Sequence, residues 1–243
     1  MKITQLVILF NYKKIVLGIC VAAVFLIFSN QISSTIFNIL FKMVSLIIVL
    51  NIIASILASY ILYDKSDLYK LNKLKDNLDF EKIDNAIIVH ASFDPISKEL
   101  EERYPNLNIT VCDIYENRHE HDNGIKISKK IFPPNPEEIK IHPNQLPFED
   151  SSQDVILAIT SLHEILDHKD RVLFFREAKR ILKKNGLIVV SEQFRDCTNF
   201  IFFNIGAFHF LSKKQWKKAI SEAGLEIIEN KKITPFANML LIK

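Results

Sequence analysis

Residues 85–113 read NAIIVHASFDPISKELEERYPNLNITVCD, and this stretch decides the fold. It opens with the apolar run Ile87, Ile88 and Val89, short and uninterrupted in the manner of a strand buried on both faces. Asp94 and Pro95 then start a predicted helix over 95–104, with Asp94 as N-cap and Pro95 in the first helical position, where its missing amide proton costs nothing. NITVCD at 108–113 is a second strand, ending on Asp113. Strand, helix and strand at this spacing form a crossover unit of a parallel sheet.

The alternation continues toward the C-terminus. After a less regular, basic and Pro-rich region at 116–138, a short third strand is expected at 139–141 and a fourth in QDVILAI at 153–159. DRVLFFREAKRILKK at 170–184 is predicted as a helix, because Val172, Leu173, Phe175, Ala178, Ile181 and Leu182 recur at helical spacing, with Gly186 as its stop. LIVVSE is a fifth strand. SKKQWKKAISEAG at 212–224 is a helix capped by Ser212 and ended by Gly224, and the segments 225–233 and 236–243 pair as a hairpin. The expected class is α/β: a mostly parallel sheet with helices on both faces and a C-terminal antiparallel hairpin.

The front of the chain has a different composition. From Lys42 to Asp64 the run MVSLIIVLNIIASILASYILY, residues 43–63, is uncharged. As a helix it would be about 31 Å long, against a hydrocarbon core of about 30 Å. An earlier apolar run between Lys14 and Lys42 predicts another span at about 14–34, with a turn over 35–42. A cleaved signal peptide is the alternative for this first run, but no small-residue cleavage site follows it. Lys2, Lys13 and Lys14 precede the two expected transmembrane helices, and Lys65, Lys70, Lys73 and Lys75 follow them. This lysine bias predicts both termini on the cytoplasmic side. The expected organisation is a membrane anchor over 1–63, a solvated linker over 64–84 and a folded domain over 85–243, with the lipid bilayer as a partner.

At 243 residues, 49% hydrophobic and net charge +3, the chain can bury a full α/β core. A pI near 8.6 is too mild to argue for nucleic acid and suits an anionic membrane surface. Cys20, Cys112 and Cys197 show neither a disulfide framework nor metal-ligand spacing.

In an open sheet of this kind, ligands bind beyond the carboxyl ends of the strands, where strand order reverses. The segments to inspect are therefore 90–94, 113–116, 142–145, 159–164 and 192–196. Asp113 stands out: it closes a strand 19 residues after Asp94, about the separation at which nucleotide binders place a carboxylate on ribose hydroxyls. An acid at a strand end satisfied by solvent or a neighbouring amide is the plainer alternative.

LPFEDSSQDVILAITSLHEI at 146–165, followed by REAKRILKKNGLIVVSE at 176–192, resembles the middle of class I, Rossmann-like, S-adenosylmethionine-dependent methyltransferases. The resemblance extends over about 85–243 and, through FDPIS and the apolar leader, points to a membrane-bound bacterial branch. It implies S-adenosyl-L-methionine as cofactor. It implies that His90, Ala91, Ser92 and Asp94 face the cofactor's amino acid end, that Asp113 holds the ribose and that Asn144 and Gln145 flank the adenine. It also implies that Thr160 and the residues up to His163 border the methyl group. For a hydroxyl acceptor, which needs a base, His163 or Glu164 is the candidate catalytic residue. This chain lacks the family's glycines at His90, Ser92 and Asp94, so the cofactor seat is expected to work only if the loop keeps negative φ. A chain that has lost that seat would be a non-catalytic scaffold or binding protein.

Other motifs carry less. HEILDH at 163–168 spaces its histidines five apart, so they share no helix face, and no metal is expected there. RHEHD at 118–122 is expected to be a solvated loop. NFIFFNIGAFHF at 199–210 holds five phenylalanines, which suit core packing or a surface that dips into a bilayer. The latter fits an apolar small-molecule or lipid acceptor.

Overall fold

The computed structural model describes residues 3–74, 77–114 and 123–243, and of 123–126 the backbone alone. The chain divides into two compact units, Met1–Lys65 and Ser66–Lys243.

The first unit is a hairpin of α1 (Ile3–Ser29) and α2 (Thr35–Ser59), the latter extended by a π-helical turn over Tyr60–Lys65. The expected bounds of 14–34 and 43–63 are corrected: both helices start earlier, and the turn lies at 30–34. Polar side chains set it there. Ser29 Oγ donates to Leu26 O at 2.7 Å and Asn38 Nδ2 to Ser29 O at 2.6 Å, so the carbonyls freed by the break are satisfied. Ser45 Oγ donates to Ala22 O at 2.8 Å and ties the helices together in mid-span. Lys42 thus lies within α2 rather than between the helices. Both helices are long and apolar enough to cross a membrane, with 11% and 6% of their most apolar windows buried.

The second unit is built on one seven-stranded sheet in the order β3-β2-β1-β4-β5-β7-β6. Its strands are β1 (Asn85–His90), β2 (Asn108–Asp113), β3 (Ile139–Lys140), β4 (Gln153–Ile159), β5 (Leu182–Gln193), β6 (Ile227–Lys232) and β7 (Ala237–Ile242). The ladders joining β3, β2, β1, β4 and β5 are parallel, and β7 pairs antiparallel with both β5 and β6. The α/β class and the terminal hairpin read from the sequence are therefore present.

Between the strands lie α3 (Ser97–Arg103), α4 (Asn123–Ile131), α5 (His168–Ile181), α6 (Cys197–Phe203) and α7 (Lys213–Glu222). Ile87 and Val89 of β1, Ile156 and Ala158 of β4, and Ile188 and Val190 of β5 form one core with Phe174, Phe175 and Ala178 of α5 and Trp216 and Ile220 of α7. The alternate residues Ala86, Ile88, Val155, Leu157, Leu187 and Val189 are buried as well. Burial on both faces is what the uninterrupted apolar runs required.

Several boundaries differ from expectation for physical reasons. The compact unit begins at Ser66 and not at residue 85, because Leu68, Leu71, Leu74 and Phe80 of the expected linker are buried. The helix expected to end at Gly186 stops at Ile181, and β5 begins at once. The ladder pairs Gln153 with Leu182 and then Val155 with Leu187, so residues 183–186 bulge out of register. Gly186 is a close-approach residue in that bulge. A Cβ there would meet Leu182 Cδ2 at 2.8 Å, Lys183 O at 3.0 Å and Asp154 O at 3.1 Å. Helix α4 lies in the region read as irregular, whose Lys-rich, β-branched sequence hid it. Helix α7 follows expectation, with a Ser212/Gln215 capping box and Gly224 at φ +73°.

The LPFED stretch owes its place to one ion pair on α5. Arg180 donates to Leu146 O at 3.0 Å, Phe148 O at 2.9 Å and Asp150 Oδ1 at 2.7 Å. Glu177 accepts from Arg180 at 2.7 Å and from the Leu146 amide at 3.0 Å. The Arg180 hydrogen bonds and the Leu146 amide hold the Glu177 carboxyl below its ordinary value against a smaller opposing effect of burial.

Candidate active site

Strand order reverses at β1, with β2 and β3 on one side and β4 and β5 on the other. The carboxyl ends of these strands leave polar side chains at the crevice where such sheets bind ligands.

The loop after β1 carries no glycine. Positive φ among described non-glycine residues occurs at Leu71, Ser151, Thr160 and Asn204, and at none of residues 90–96. The conformation of this loop therefore requires no glycine. Ala91 is buried, while Ser92 and Asp94 are half-exposed. Asp94 Oδ1 accepts from the amides of Ile96 at 2.9 Å and Ser97 at 3.1 Å. Helix α3 starts at Ser97, two residues after the expected Pro95, so Asp94 acts as an Asx turn leading into it.

His90 points away from solvent. It is 4% exposed, and its Nε2 lies 2.8 Å from Glu138 Oε2, which is also buried. Asp113, at the end of β2, is 1% exposed and paired with Lys129 of α4. The register keeps the two strand ends together: the amide of Ile114 donates to His90 O at 3.0 Å. Asn144 and Gln145 are exposed in a tight turn closed by the Gln145 amide on His142 O at 3.1 Å. Glu116 and the RHEHD cluster lie outside the described residues.

Beyond β4 the chain turns sharply. Thr160 adopts φ +51°, costly for a β-branched residue. Its amide donates to Ser191 O at 2.8 Å and its Oγ1 lies 3.2 Å from the Tyr69 hydroxyl. Ser161 Oγ donates to Val89 O at 2.7 Å and pins the turn to β1. Residues Leu162–Glu164 then form a short 3-10 turn.

Glu192, near the end of β5, organises this turn. It is 1% exposed and accepts from the Ser161 amide at 3.1 Å and the His163 amide at 3.3 Å through Oε1. Its Oε2 lies 2.8 Å from His163 Nδ1. A carboxylate oxygen accepts, so His163 Nδ1 is the donor in this pair. His163 Nε2 faces Glu164 Oε1 at 3.6 Å, and His209 Nε2 lies 3.2 Å from the same oxygen. His163 is thus a half-buried histidine oriented by a carboxylate, an arrangement suited to moving a proton. HEILDH does not act as one unit: His168 opens α5 and pairs with Glu222 at 2.8 Å. Sequence reasoning marked 192–196 for inspection but did not pair Glu192 with His163, and it missed His209 as a partner.

Residues 94–190 match the model of a family described as a methyltransferase domain. The segment runs from the Asp94 turn into β5 and takes in the ends of β2 and β4. Over these residues the chain is similar to a methyltransferase domain. The sheet and helices around it have the fold of the class I, Rossmann-like methyltransferases, as comparison with solved structures shows. A SAM dependent methyltransferase from Aquifex aeolicus is similar with a TM-score of 0.54 at 12% identity, covering 76% of this chain and 92% of its own. A S-adenosylmethionine-dependent methyltransferase from Clostridium acetobutylicum has a TM-score of 0.52 at 11% identity, covering 80% of this chain and 96% of its own. An O-methyltransferase from neocarzinostatin biosynthesis, solved in complex with S-adenosylmethionine and 2-hydroxy-5-methyl naphthoic acid, has a TM-score of 0.50 at 13% identity and covers 80% of this chain and 56% of its own. No curated protein matches the chain by sequence.

Proposed function

We propose that the chain is an S-adenosylmethionine-dependent methyltransferase that works at a membrane on a lipid or other apolar small molecule. The observation that carries the reading is the meeting of a methyltransferase domain with a buried carboxylate, Asp113, at the end of β2, and a carboxylate-oriented histidine, His163, after β4. Asp113 would hold the ribose hydroxyls, with Lys129 shifting its hydrogen bond to make room. The loop 90–94 would face the amino acid end, and Asn144 and Gln145 the adenine.

The cofactor supplies an electrophilic methyl on a sulfonium. The chain has to align it with the acceptor and exclude water. When a hydroxyl attacks, its oxygen takes the methyl, the carbon–sulfur bond breaks and S-adenosylhomocysteine leaves. The hydroxyl proton would pass to the His163 imidazole, with Glu192 beside Nδ1 stabilising the imidazolium.

Two features support a membrane setting. The apolar helices α1 and α2 expose most of their side chains, and the turn joining them, at 30–34, has no charged residue, in keeping with both termini on the cytoplasmic side. The aromatic segment also leaves Ile201, Ile205 and Phe208 exposed at 65%, 75% and 63%, in the manner of an interfacial surface.

A non-catalytic scaffold has one observation in its favour: Asp94 and Asp113 are already satisfied within the protein. Labelled S-adenosylmethionine, incubated with the detergent-solubilised chain and a lipid extract, separates the two. Methyl transfer that Asp113→Ala abolishes is the expected result; absence of both transfer and cofactor binding by calorimetry would sink the enzyme reading.

A further inference from the structure

We infer that the segment 197–209, together with the lysines that open α7, docks the folded domain onto an anionic lipid surface, with Ile205 and Phe208 dipping between the headgroups. The bilayer as the setting rests on the function proposed above; the inference adds which face of the domain meets it and which headgroup charge that face selects.

The apolar half of the surface is presented by a segment fixed to the domain. Asp196 Oδ1 caps α6 by accepting from the Asn199 amide at 2.9 Å, and Asn199 Nδ2 donates to Phe194 O at 2.7 Å and to Phe236 O at 3.0 Å. Phe202 and Phe203 set their rings edge-on to Phe236, with centroids 5.1 and 5.6 Å apart, and Ala207 is fully buried. On the outer side Ile205 is 75% and Phe208 63% exposed, with Ile201 of α6 at 65%. A closed domain gains nothing by holding large apolar side chains in water. Sunk about 5–10 Å into the boundary of headgroups and acyl chains, the same side chains form an interfacial anchor.

The charge pattern says which surface fits. Lys213 and Lys214 occupy the first turn of α7, and Lys217 follows on its exposed side, away from the buried Trp216, Ala219 and Ile220. That first turn holds no acidic residue. A helix N-terminus carries partial positive charge, so lysines there oppose the dipole. Lys218 pairs with Glu222 at 3.7 Å, while Lys213, Lys214 and Lys217 have no acidic partner among the described residues. An anionic headgroup layer offsets this repulsion, and a neutral one does not. The domain begins at Ser66, directly after the last turn of the apolar hairpin, so it is tethered beside whatever membrane the hairpin enters. His209 Nε2 lies 3.2 Å from Glu164 Oε1, which joins the docked segment to the turn after β4. Docking therefore brings the acceptor side of the crevice to the leaflet, and an apolar acceptor enters without crossing water.

The test uses the full-length chain in nanodiscs, with the environment-sensitive fluorophore NBD on Ile205→Cys. Cys20→Ser and Cys197→Ser remove the exposed thiols; Cys112 is buried, and burial pushes its thiol up to about 12, so it stays unlabelled. In nanodiscs containing phosphatidylglycerol, the emission should shift to the blue and be quenched by doxyl-labelled lipid. Docking should weaken in phosphatidylcholine alone. Lys213→Gln, Lys214→Gln and Lys217→Gln should each lower the ratio of docked to undocked domain about fivefold in the anionic discs. A probe on Lys184→Cys, at the opposite end of β5, should stay in water. An unquenched probe at Ile205→Cys, docking indifferent to lipid charge and to all three lysines, or equal quenching at Lys184→Cys would overturn the surface. A blue shift without lipid quenching would overturn it too, by putting a second copy or another protein over the patch. Calorimetry with S-adenosylmethionine on the same samples keeps the two readings apart. Quenching without cofactor binding upholds the surface and refutes the methyltransferase; cofactor binding with the probe in water does the reverse.

Discussion

At the scale of single residues, Glu192 bears more than its buried position suggests. It satisfies two amides of a strained turn and orients His163, so a neutral replacement acts on stability and chemistry together. Glu192→Gln keeps the shape but offers one acceptor oxygen where three donors converge. The expected cost is about 1–3 kcal/mol of stability, the penalty for a buried donor left unmet, read as a lowered midpoint in urea unfolding. Methyl transfer to a hydroxyl acceptor should fall by roughly 10²-fold or more, the scale of a lost general base, while cofactor affinity holds. An unchanged rate would remove His163 from the chemistry. On the proposed function Asp113 holds the cofactor's ribose, so Asp113→Ala should act on cofactor affinity first.

At the scale of elements, the junction between α5 and β5 is the least forgiving. A methyl group at Gly186 would press on a side chain and on two backbone oxygens at 2.8–3.1 Å, and the backbone oxygens cannot swing aside. Gly186→Ala should therefore destabilise the domain by about 1–3 kcal/mol, visible as a drop in melting temperature. An Ala with wild-type stability would show that the bulge relaxes freely. The same junction carries a pH dependence. Burial pushes the Asp154 carboxyl up, but its hydrogen bonds from Lys183 and the amides of Asn85 and Asp84 outweigh that and bring it below its ordinary 3.8. Glu177, held by Arg180, lies below its ordinary 4.5. A carboxyl that is more acidic when folded stabilises the fold above its unfolded pKa, and that stabilisation is lost as pH falls through the folded value. The melting temperature should hold near neutrality and decline as pH drops below about 4.5. Asp154→Asn and Glu177→Gln should each start lower and fall less steeply, in a thermal-melt series against pH.

At the scale of the whole molecule, an apolar hairpin precedes a compact α/β unit that begins at Ser66. If the hairpin spans the bilayer, as proposed, the chain should stay in the membrane pellet after alkaline carbonate washing. Release into the supernatant would point to peripheral attachment and remove the argument for an acceptor dissolved in the bilayer. The unit Ser66–Lys243 has its own core and should fold when expressed alone, provided that Leu68, Leu71 and Leu74 are kept. Starting it at residue 85 would strip side chains that are 0–2% exposed and should give an insoluble product.

The sequence by itself determined the order and type of nearly every element, because burial on both faces, helical spacing and caps such as Ser212 are local patterns that survive without a structure. It also placed Asp113 at a strand end and Asp94 at a turn. Boundaries were harder where two signals competed. The leucines at 68, 71 and 74 sit among charges that masked their burial, and Gly186 looks like a helix stop although its real constraint is the close approach of Leu182, Lys183 O and Asp154 O. Only the tertiary structure decided which side chains meet. His163 and Glu192 are 29 residues apart, Glu164 and His209 are 45 apart, and Tyr69 reaches Thr160 across 91. These pairings follow from strand order, which sets β5 beside β4 and brings the segment after it over the same crevice. Periodicity reports whether a residue is buried, and strand order determines against what.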